Sequence, residues 1–491
     1  MVDYACRHAV DRERWGMFTT EEEIVMTVRG DHAVVIGAGV GGLLAARVLA
    51  ESFARVTVLE RDALPPEPVP RKCVPQGRHA HALLARGGHA FDTLFPGFTS
   101  QLIDRGAPSC DVGSGFQWVL SGHRFALSPS GVRAIGASRP LIEWQLRTRV
   151  CALPNVEIAE HTSAVDFAGD RAHRRVTGVA TRRRAGRALG EVVEADLVVD
   201  ASGRSSQTLP WLEAFGCARP AEDRMTIDLA YATRHFRRDP ADFDGRLGLG
   251  VGATPDHPRA GVIIAQENGT WIVTVSGYAH DEPPVDADAF TAFAASLPAP
   301  EFGRFVAEAE PLDEPLRYRI PTTVRRRYAE VPLPEGYLPF ADTICCFNPI
   351  YGQGMSVAGV EALALRDCLR DGVEALAPRF LNRIRRGLDD TWTMAADSDL
   401  QMPCVAGPRS TRTRLANAYT VRVHRAAVTD PRVGAQFLRV INLLDRPTSL
   451  LRPATAARVL RGNVWPRPVP EDTVRPSATP GVRRGERIAE G

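Results

Sequence analysis

In Val34-Val35-Ile36-Gly37-Ala38-Gly39-Val40-Gly41-Gly42, three glycines fall at the spacing GxGxxG. The chemistry of that spacing is anion binding. Gly37 allows a tight turn, Gly39 removes a side chain where backbone must approach a pyrophosphate, and Gly42 lets a helix pack closely on the preceding strand. The following helix, through Leu43-Leu44-Ala45-Ala46, aims unpaired N–H groups and the positive end of its dipole at the anion. A second strand, residues 55–59, ends at Glu60, 18 residues past Gly42, where a carboxylate can take both hydroxyls of an adenosine ribose. Strand, glycine turn, helix, strand and terminal acid stand in register. A tight turn in some other α/β protein would leave Glu60 unexplained.

Further candidates are spread along the chain. Arg61, then Arg71-Lys72 and Val74-Pro75-Gln76-Gly77-Arg78-His79-Ala80-His81, form a loop rich in proline, cations and imidazoles. Cations just past the ribose-binding strand can reach a pyrophosphate; the alternative is a solvated basic loop. His79 and His81 alternate as on a strand, but no carboxylate or cysteine partner makes them metal ligands, and no metal site is expected. Ser138 suits a helix N-cap with Pro140 in the first turn, and Ile142 and Leu146 share a face. Arg139 at that helix start opposes the dipole unless an anion is near, which points to a phosphate contact over a surface charge. The strand 195–199 ends in Asp200-Ala201-Ser202-Gly203, suited to a turn whose backbone passes close to a cofactor. Tyr337 to Asp342 is strand-like and ends in an acid. Phe347-Asn348-Pro349-Ile350-Tyr351-Gly352-Gln353-Gly354-Met355 then opens a long helix, with backbone N–H groups again aimed at an electron-rich atom.

These residues need a scaffold, and the 491-residue chain is long enough for two or three domains. The expected fold is α/β. A Rossmann-like nucleotide domain is built discontinuously from 31–90, 138–216 and 331–372. A mixed, mostly antiparallel substrate domain comes from 91–137 and 217–330, and a helical region from 373–465. Residues 91–137 read as strands of a small sheet. Asn268-Gly269 between alternating strands predicts a hairpin with a two-residue type I′ turn. Residues 1–30 read as an extension without a signal-peptide pattern, and 466–491, rich in proline, arginine, glutamate and glycine, as a disordered tail. The helices of 373–465 are expected to pack on the domain body, with membrane or partner contact as the alternative. A net charge of +2 points to no nucleic-acid partner. No apolar run of 18 residues predicts a spanning helix. Nine cysteines without repeated spacing read as reduced thiols of a cytoplasmic protein.

Taken in order, GAGVGG with Glu60, DASG at 200–203 and AD with FNPIYGQGM at 341–355 resemble the flavoprotein monooxygenases of the para-hydroxybenzoate hydroxylase type, also termed class A. Arg71-Lys72, Val74-Pro75-Gln76, His79-Ala80-His81 and the run from Phe347 to Met355 look more narrowly like the bacterial flavin epoxidases of polyether-ionophore biosynthesis. The tryptophan motif of flavin halogenases is absent. Two departures stand out: the family's Gly-Asp is Ala341-Asp342 here, and its DG motif is Asp200-Ala-Ser-Gly203.

The resemblance implies FAD as cofactor and NAD(P)H as transient reductant. Gly37, Gly39 and Gly42 would hold the FAD pyrophosphate, Glu60 the adenosine ribose, and Arg139 the diphosphate or ribityl. Asp342 would bond a ribityl or phosphate-side oxygen. Gly352, Gly354 and Met355 would face the flavin pyrimidine edge. The implied reaction is O₂-dependent epoxidation of an apolar polyene, such as a polyketide or terpenoid of secondary metabolism. Aromatic hydroxylation and isoprenoid alkene reduction are the alternatives, followed by flavin binding without turnover. An alkene needs no catalytic base, and none is evident from the residues.

Overall fold

The computed structural model describes residues 28–72, 74–183 and 191–464. The expected extension at 1–30 lies outside the described residues except for its last three positions, and the tail at 466–491 lies wholly outside them.

The nucleotide domain is organised on a parallel five-stranded sheet. Its spatial order is Tyr337–Pro339, Leu197–Asp200, Gly30–Ile36, Phe53–Leu59, Val156–Ala159. The central strand is the one carrying the glycine motif, and from Ala33 on its residues are buried on both faces. That explains the unbroken apolar run that precedes Gly37. The helix Val40–Leu49 crosses back over the sheet and packs against the helices Arg139–Cys151 and Gly354–Arg370. Ser138 caps the former as expected, its hydroxyl accepting from the Leu141 N–H.

A second sheet has eight strands, in the order Cys345–Cys346, Leu316–Arg326, Glu222–Arg237, Thr270–Gly277, Arg259–Gln266, Gly248–Val251, Gln117–Leu120, His123–Arg124. Its neighbours are antiparallel except for Gly248–Val251 with Gln117–Leu120. A smaller antiparallel sheet joins Thr162–Asp170, Arg175–Arg183 and Val192–Glu194. The fold is therefore a Rossmann-like α/β domain beside a mixed sheet, followed by the C-terminal helices Leu376–Asp399, Thr411–Ala427, Pro431–Ile441 and Pro453–Val464.

Two local expectations change. Residues 91–104 are largely helical, in Ala85–Leu94 and Phe98–Asp104, where strands were expected. Phe91, Leu94, Phe98 and Leu102 are spaced three and four apart, and all are buried. The glycines and serines nearby mask that helical period. The hairpin at Asn268-Gly269 exists, and both residues adopt positive φ, 61° and 64°. However, Gln266 pairs with Thr270, so the connection has three residues and not two. Glu267 leaves the ladder because its carboxylate, turned inward, accepts the Ser138 N–H at 3.0 Å.

Candidate functional site

The sheets and the C-terminal helices together enclose one large cavity of about 2050 Å³. Its two ends differ. At the nucleotide-domain end, Gly37, Gly39, Gly41 and Glu60 face it, with Gly203, Arg204, Asp342, Gly352 and Gly354 beyond. At the far end the wall is mostly apolar and aromatic, with Phe116, Trp118, Tyr231, Ile264, Met394 and Phe437 among its side chains.

Each glycine of the first motif has a distinct task. Gly37 turns the chain at φ +100°. A Cβ on Gly42 would stand 1.8 Å from the Gly37 carbonyl oxygen, so this glycine is demanded by helix-to-turn packing. A Cβ on Gly39 would meet nothing within 4 Å and would project into the cavity. The helix Val40–Leu49 has no side-chain cap, and neither does Gly354–Arg370. Two helix starts with uncapped N–H groups therefore open on one cavity, a donor set suited to an anionic, electron-rich ligand.

Glu60 sits at the end of its strand as expected, only 7% exposed. Its Oε2 accepts from the Ala38 N–H at 3.0 Å and from Arg71 at 3.1 Å; its Oε1 accepts from the Asp62 N–H. Arg71 in turn places Nε 2.7 Å from Glu143 Oε1, while Arg139 donates to Glu143 Oε2. The result is a buried charge chain running Glu60, Arg71, Glu143, Arg139. Burial opposes the Arg71 charge, but Glu143 and Glu60 more than offset it and hold the guanidinium protonated. The unexpected dipole opposition at Arg139 is thus answered within the protein, by Glu143 one turn on, although Arg139 also lines the cavity.

The other expected site residues sort by position. Arg61 lines the cavity as an exposed side chain, whereas Lys72 is exposed and stands outside the wall. Asp200 is fully buried behind the wall. It accepts from the Ser202 N–H and the hydroxyls of Ser202, Ser206 and Thr208, and so fixes the Ala201-to-Arg204 turn that does face the cavity. Asp342 faces the cavity while protein surrounds it on its other sides. Burial pushes its carboxyl up, partly offset by Arg139 and Arg204. Gly352, at φ +64°, and Gly354 and Met355 line the cavity beside it.

In the cation-and-imidazole loop, Ala80 and His81 belong to the wall, and His79 does not. His79 is buried beside Thr233, 2.8 Å from its hydroxyl, and edge-on to Tyr231. Burial pushes His79 down to about 4 and His81 to about 3, so both imidazoles are neutral near pH 7. His81 Nδ1 lies 2.9 Å from the His79 carbonyl oxygen, which can only accept, so this nitrogen carries the proton.

Sequence reasoning missed a buried hub. Asp399, 1% exposed, accepts from Tyr351 and Asn348 at 2.8 Å and from Tyr278 at 3.0 Å. It ties the last turn of Leu376–Asp399 to the glycine loop before Gly354 and to the end of strand Thr270–Gly277. Burial raises its carboxyl to about 6. A signal existed: Leu388, Thr391 and Ala395 form the buried stripe of that helix, and Asp399 extends it by one turn. Glu361 was missed similarly. It is a buried acid on the helix Gly354–Arg370 that accepts the Ala341 N–H.

The comparisons bear on this geometry. No family model matches the chain. Protein Rv3254 of Mycobacterium tuberculosis (strain ATCC 25618 / H37Rv) is 36% identical over 431 residues, covering 84% of this chain and 90% of the relative. The chain belongs to the Rv3254 family. A kynurenine 3-monooxygenase of Salinispora arenicola (strain CNS-205) is 29% identical over 367 residues, 70% of this chain and 73% of the relative. Among solved structures, the flavin-dependent brominase Bmp2 superposes with a TM-score of 0.63 at 16% identity, over 89% of this chain and 99% of that one. The p-nitrophenol 4-monooxygenase PnpA of Pseudomonas putida DLL-E4 does so at 0.60 and 17%, over 85% and 100%. This member of the Rv3254 family thus has the class A flavin-dependent monooxygenase fold. Among its described residues no helix is long and apolar enough to cross a membrane.

Proposed function

We infer that this chain is an FAD-dependent monooxygenase that uses NAD(P)H and O₂ on an unsaturated, mainly apolar small molecule. The observation that carries the reading is the pair of uncapped, glycine-led helix starts opening on one cavity whose far wall is mostly apolar. Ligand pockets commonly run about 300–1,000 Å³. The cavity is about twice the upper figure, room for a dinucleotide and a sizeable substrate together.

Bound FAD, reduced by NAD(P)H, would supply the activation of O₂. The residues of the chain do the rest. The Val40–Leu49 helix start and Gly39 would receive the pyrophosphate, and Glu60, held in place by Arg71, would present Oε1 to the ribose. Asp342 and the N–H groups at Gly354 and Met355 would hold the ribityl and pyrimidine side. Partial positive charge at that helix start would favour an anionic reduced ring, an effect worth about 0.3–2 kcal/mol. The apolar far wall would exclude water from the reacting carbon.

Aromatic ring oxygenation is the better supported form of this reading. The kynurenine and p-nitrophenol enzymes, by their names, act on aromatic substrates. Epoxidation of a polyene is the second form. It rests on the likeness of residues 71–81 and 347–355 to polyether epoxidases and on the size of the apolar wall. The test is a visible spectrum of the purified protein, followed by NAD(P)H oxidation and O₂ uptake with a phenol and a polyene side by side. Stimulation by the phenol with a hydroxylated product supports the first form. Stimulation by the polyene alone, with an epoxide product, replaces it with the second. Failure to bind flavin even after reconstitution overturns both.

A further inference from the structure

Residues 401–464 carry eleven arginines and two acids, Asp430 and Asp445, in a chain whose net charge is only +2. Both acids are already engaged, Asp430 with Arg458 and Asp445 with Arg439, and Arg446 neutralises Asp390 of the preceding helix. Arg412 and Arg422 are exposed and form no ion pair with a described residue. The same segment holds the three most exposed leucines among the described residues: Leu415 at 67%, Leu460 at 65% and Leu451 at 61%. On the helix Thr411–Ala427, positions 412, 415 and 422 fall within an arc of about 80°, at roughly 100° per residue, and so share one side. Arg412, Leu415, Arg422 and Leu451 are also part of the cavity wall. Side chains that belong to the wall and stand in solvent mark its mouth. Asp397, half-buried, is the other acid there, beside the Asp390 already paired.

We propose that this arginine- and leucine-rimmed mouth docks on an anionic lipid surface, from which an apolar substrate enters the cavity directly. The proposal rests on the reading of the cavity as a substrate site. Guanidinium groups suit the phosphate layer, and the leucines beside them suit the acyl boundary below it. A second copy of the chain is a poorer occupant, because a two-fold contact would set these arginines against their own equivalents. An acidic protein would satisfy the charge but gives no reason for the leucines to continue into the cavity wall.

The full chain is tested by co-sedimentation with vesicles of phosphatidylcholine alone and of phosphatidylcholine mixed with phosphatidylglycerol. Binding to the mixed vesicles that weakens with salt, and little binding to the neutral ones, is expected. Each arginine near such a surface is worth about five-fold in partitioning, so R412Q with R422Q should weaken binding by about twenty-five-fold. L415S with L451S should weaken it at unchanged charge. Circular dichroism confirms that each variant is folded. Equal binding to both vesicle types, or binding indifferent to both pairs of substitutions, overturns the proposal. So does light scattering that shows the substitutions splitting an oligomer. Vesicle binding and flavin content are read on the same sample. Vesicle binding by a protein that takes up no flavin upholds the docking surface while the monooxygenase reading fails; flavin without vesicle binding does the reverse.

Discussion

Glu361 Oε2 accepts the Ala341 N–H at 2.8 Å, and Ala341 holds φ at +55°. An alanine therefore occupies the left-handed region at the position where resembling proteins carry glycine. A buried carboxyl group one helix away pins its backbone there. The Ala341 methyl group lies against Gly41, where a Cβ would come within 2.8 Å of it. The replacement of Gly-Asp by Ala-Asp thus reaches the first glycine motif by direct contact.

Ala341→Gly should stabilise the protein. A left-handed alanine costs about 1–2 kcal/mol, and the extra freedom of glycine in the unfolded chain returns part of the gain. A net rise of roughly 0.5–1 kcal/mol in denaturant titration is expected. A lower midpoint would mean that methyl packing on Gly41 outweighs the backbone term.

Glu361 makes stability fall with rising pH. Burial, opposed by the Ala341 N–H and reinforced by Asp342, raises its carboxyl from 4.5 to about 8. Between those values the folded state keeps a proton that the unfolded state releases. The stabilisation is complete below pH 4.5 and is lost as pH rises through about 8. Its slope is at most about 1.4 kcal/mol per pH unit. Glu361→Gln keeps an acceptor for Ala341 and removes that slope, so thermal melts of variant and parent should diverge in favour of the variant as pH increases. Parallel curves from pH 5 to 9 would count against a raised Glu361.

Two neighbouring glycines should fail differently. Gly39→Val adds a side chain where nothing stands within 4 Å, so the protein folds but no longer admits the pyrophosphate. Flavin affinity should fall by about a hundred-fold, as the approach of backbone to phosphate is lost. Gly42→Ala forces a methyl group to within 1.8 Å of the Gly37 oxygen and should cost stability, about 1–3 kcal/mol or more. Undiminished flavin binding by folded Gly39→Val would remove the pyrophosphate from this turn.

Asp399→Ala leaves three buried donors, on Tyr278, Asn348 and Tyr351, without their shared acceptor. The expected loss is about 2–4 kcal/mol, with faster proteolysis in the 347–355 loop. Asp399→Asn retains an oxygen in the same place and should cost much less. Equal effects of the two variants would show that the hub depends on charge, not on acceptance.

The parts of this site legible in the sequence are those fixed by local backbone chemistry. Gly37, Gly39 and Gly42 reveal themselves because a turn, an approach and a close packing each demand glycine within six residues. Ser138, Ile142 and Leu146 reveal a helix start by spacing alone. The pairing of Arg71 with Glu60 and Glu143 was hidden, because its members lie 11 and 72 residues apart and meet only through the fold. Arg139 was correctly marked as anomalous, yet the anion that answers it includes a carboxylate of its own helix. The apolar end of the cavity was illegible for the same reason. Trp118, Tyr231, Met394 and Phe437 come from four separate stretches, and each alone reads as ordinary core.

The parallel sheet also sets a timetable for synthesis. Its central strand, Gly30–Ile36, emerges early, but one neighbour is Leu197–Asp200, and the edge beyond that is Tyr337–Pro339. A ribosome must add about three hundred residues after the glycine motif before the sheet can be completed, and more before Gly354 begins its helix. Until then the glycine turn has no opposite wall, and the nascent chain exposes a strand edge and an apolar face. Helpers that shield such surfaces, or a cofactor supply that meets the chain late, would decide how much of it matures.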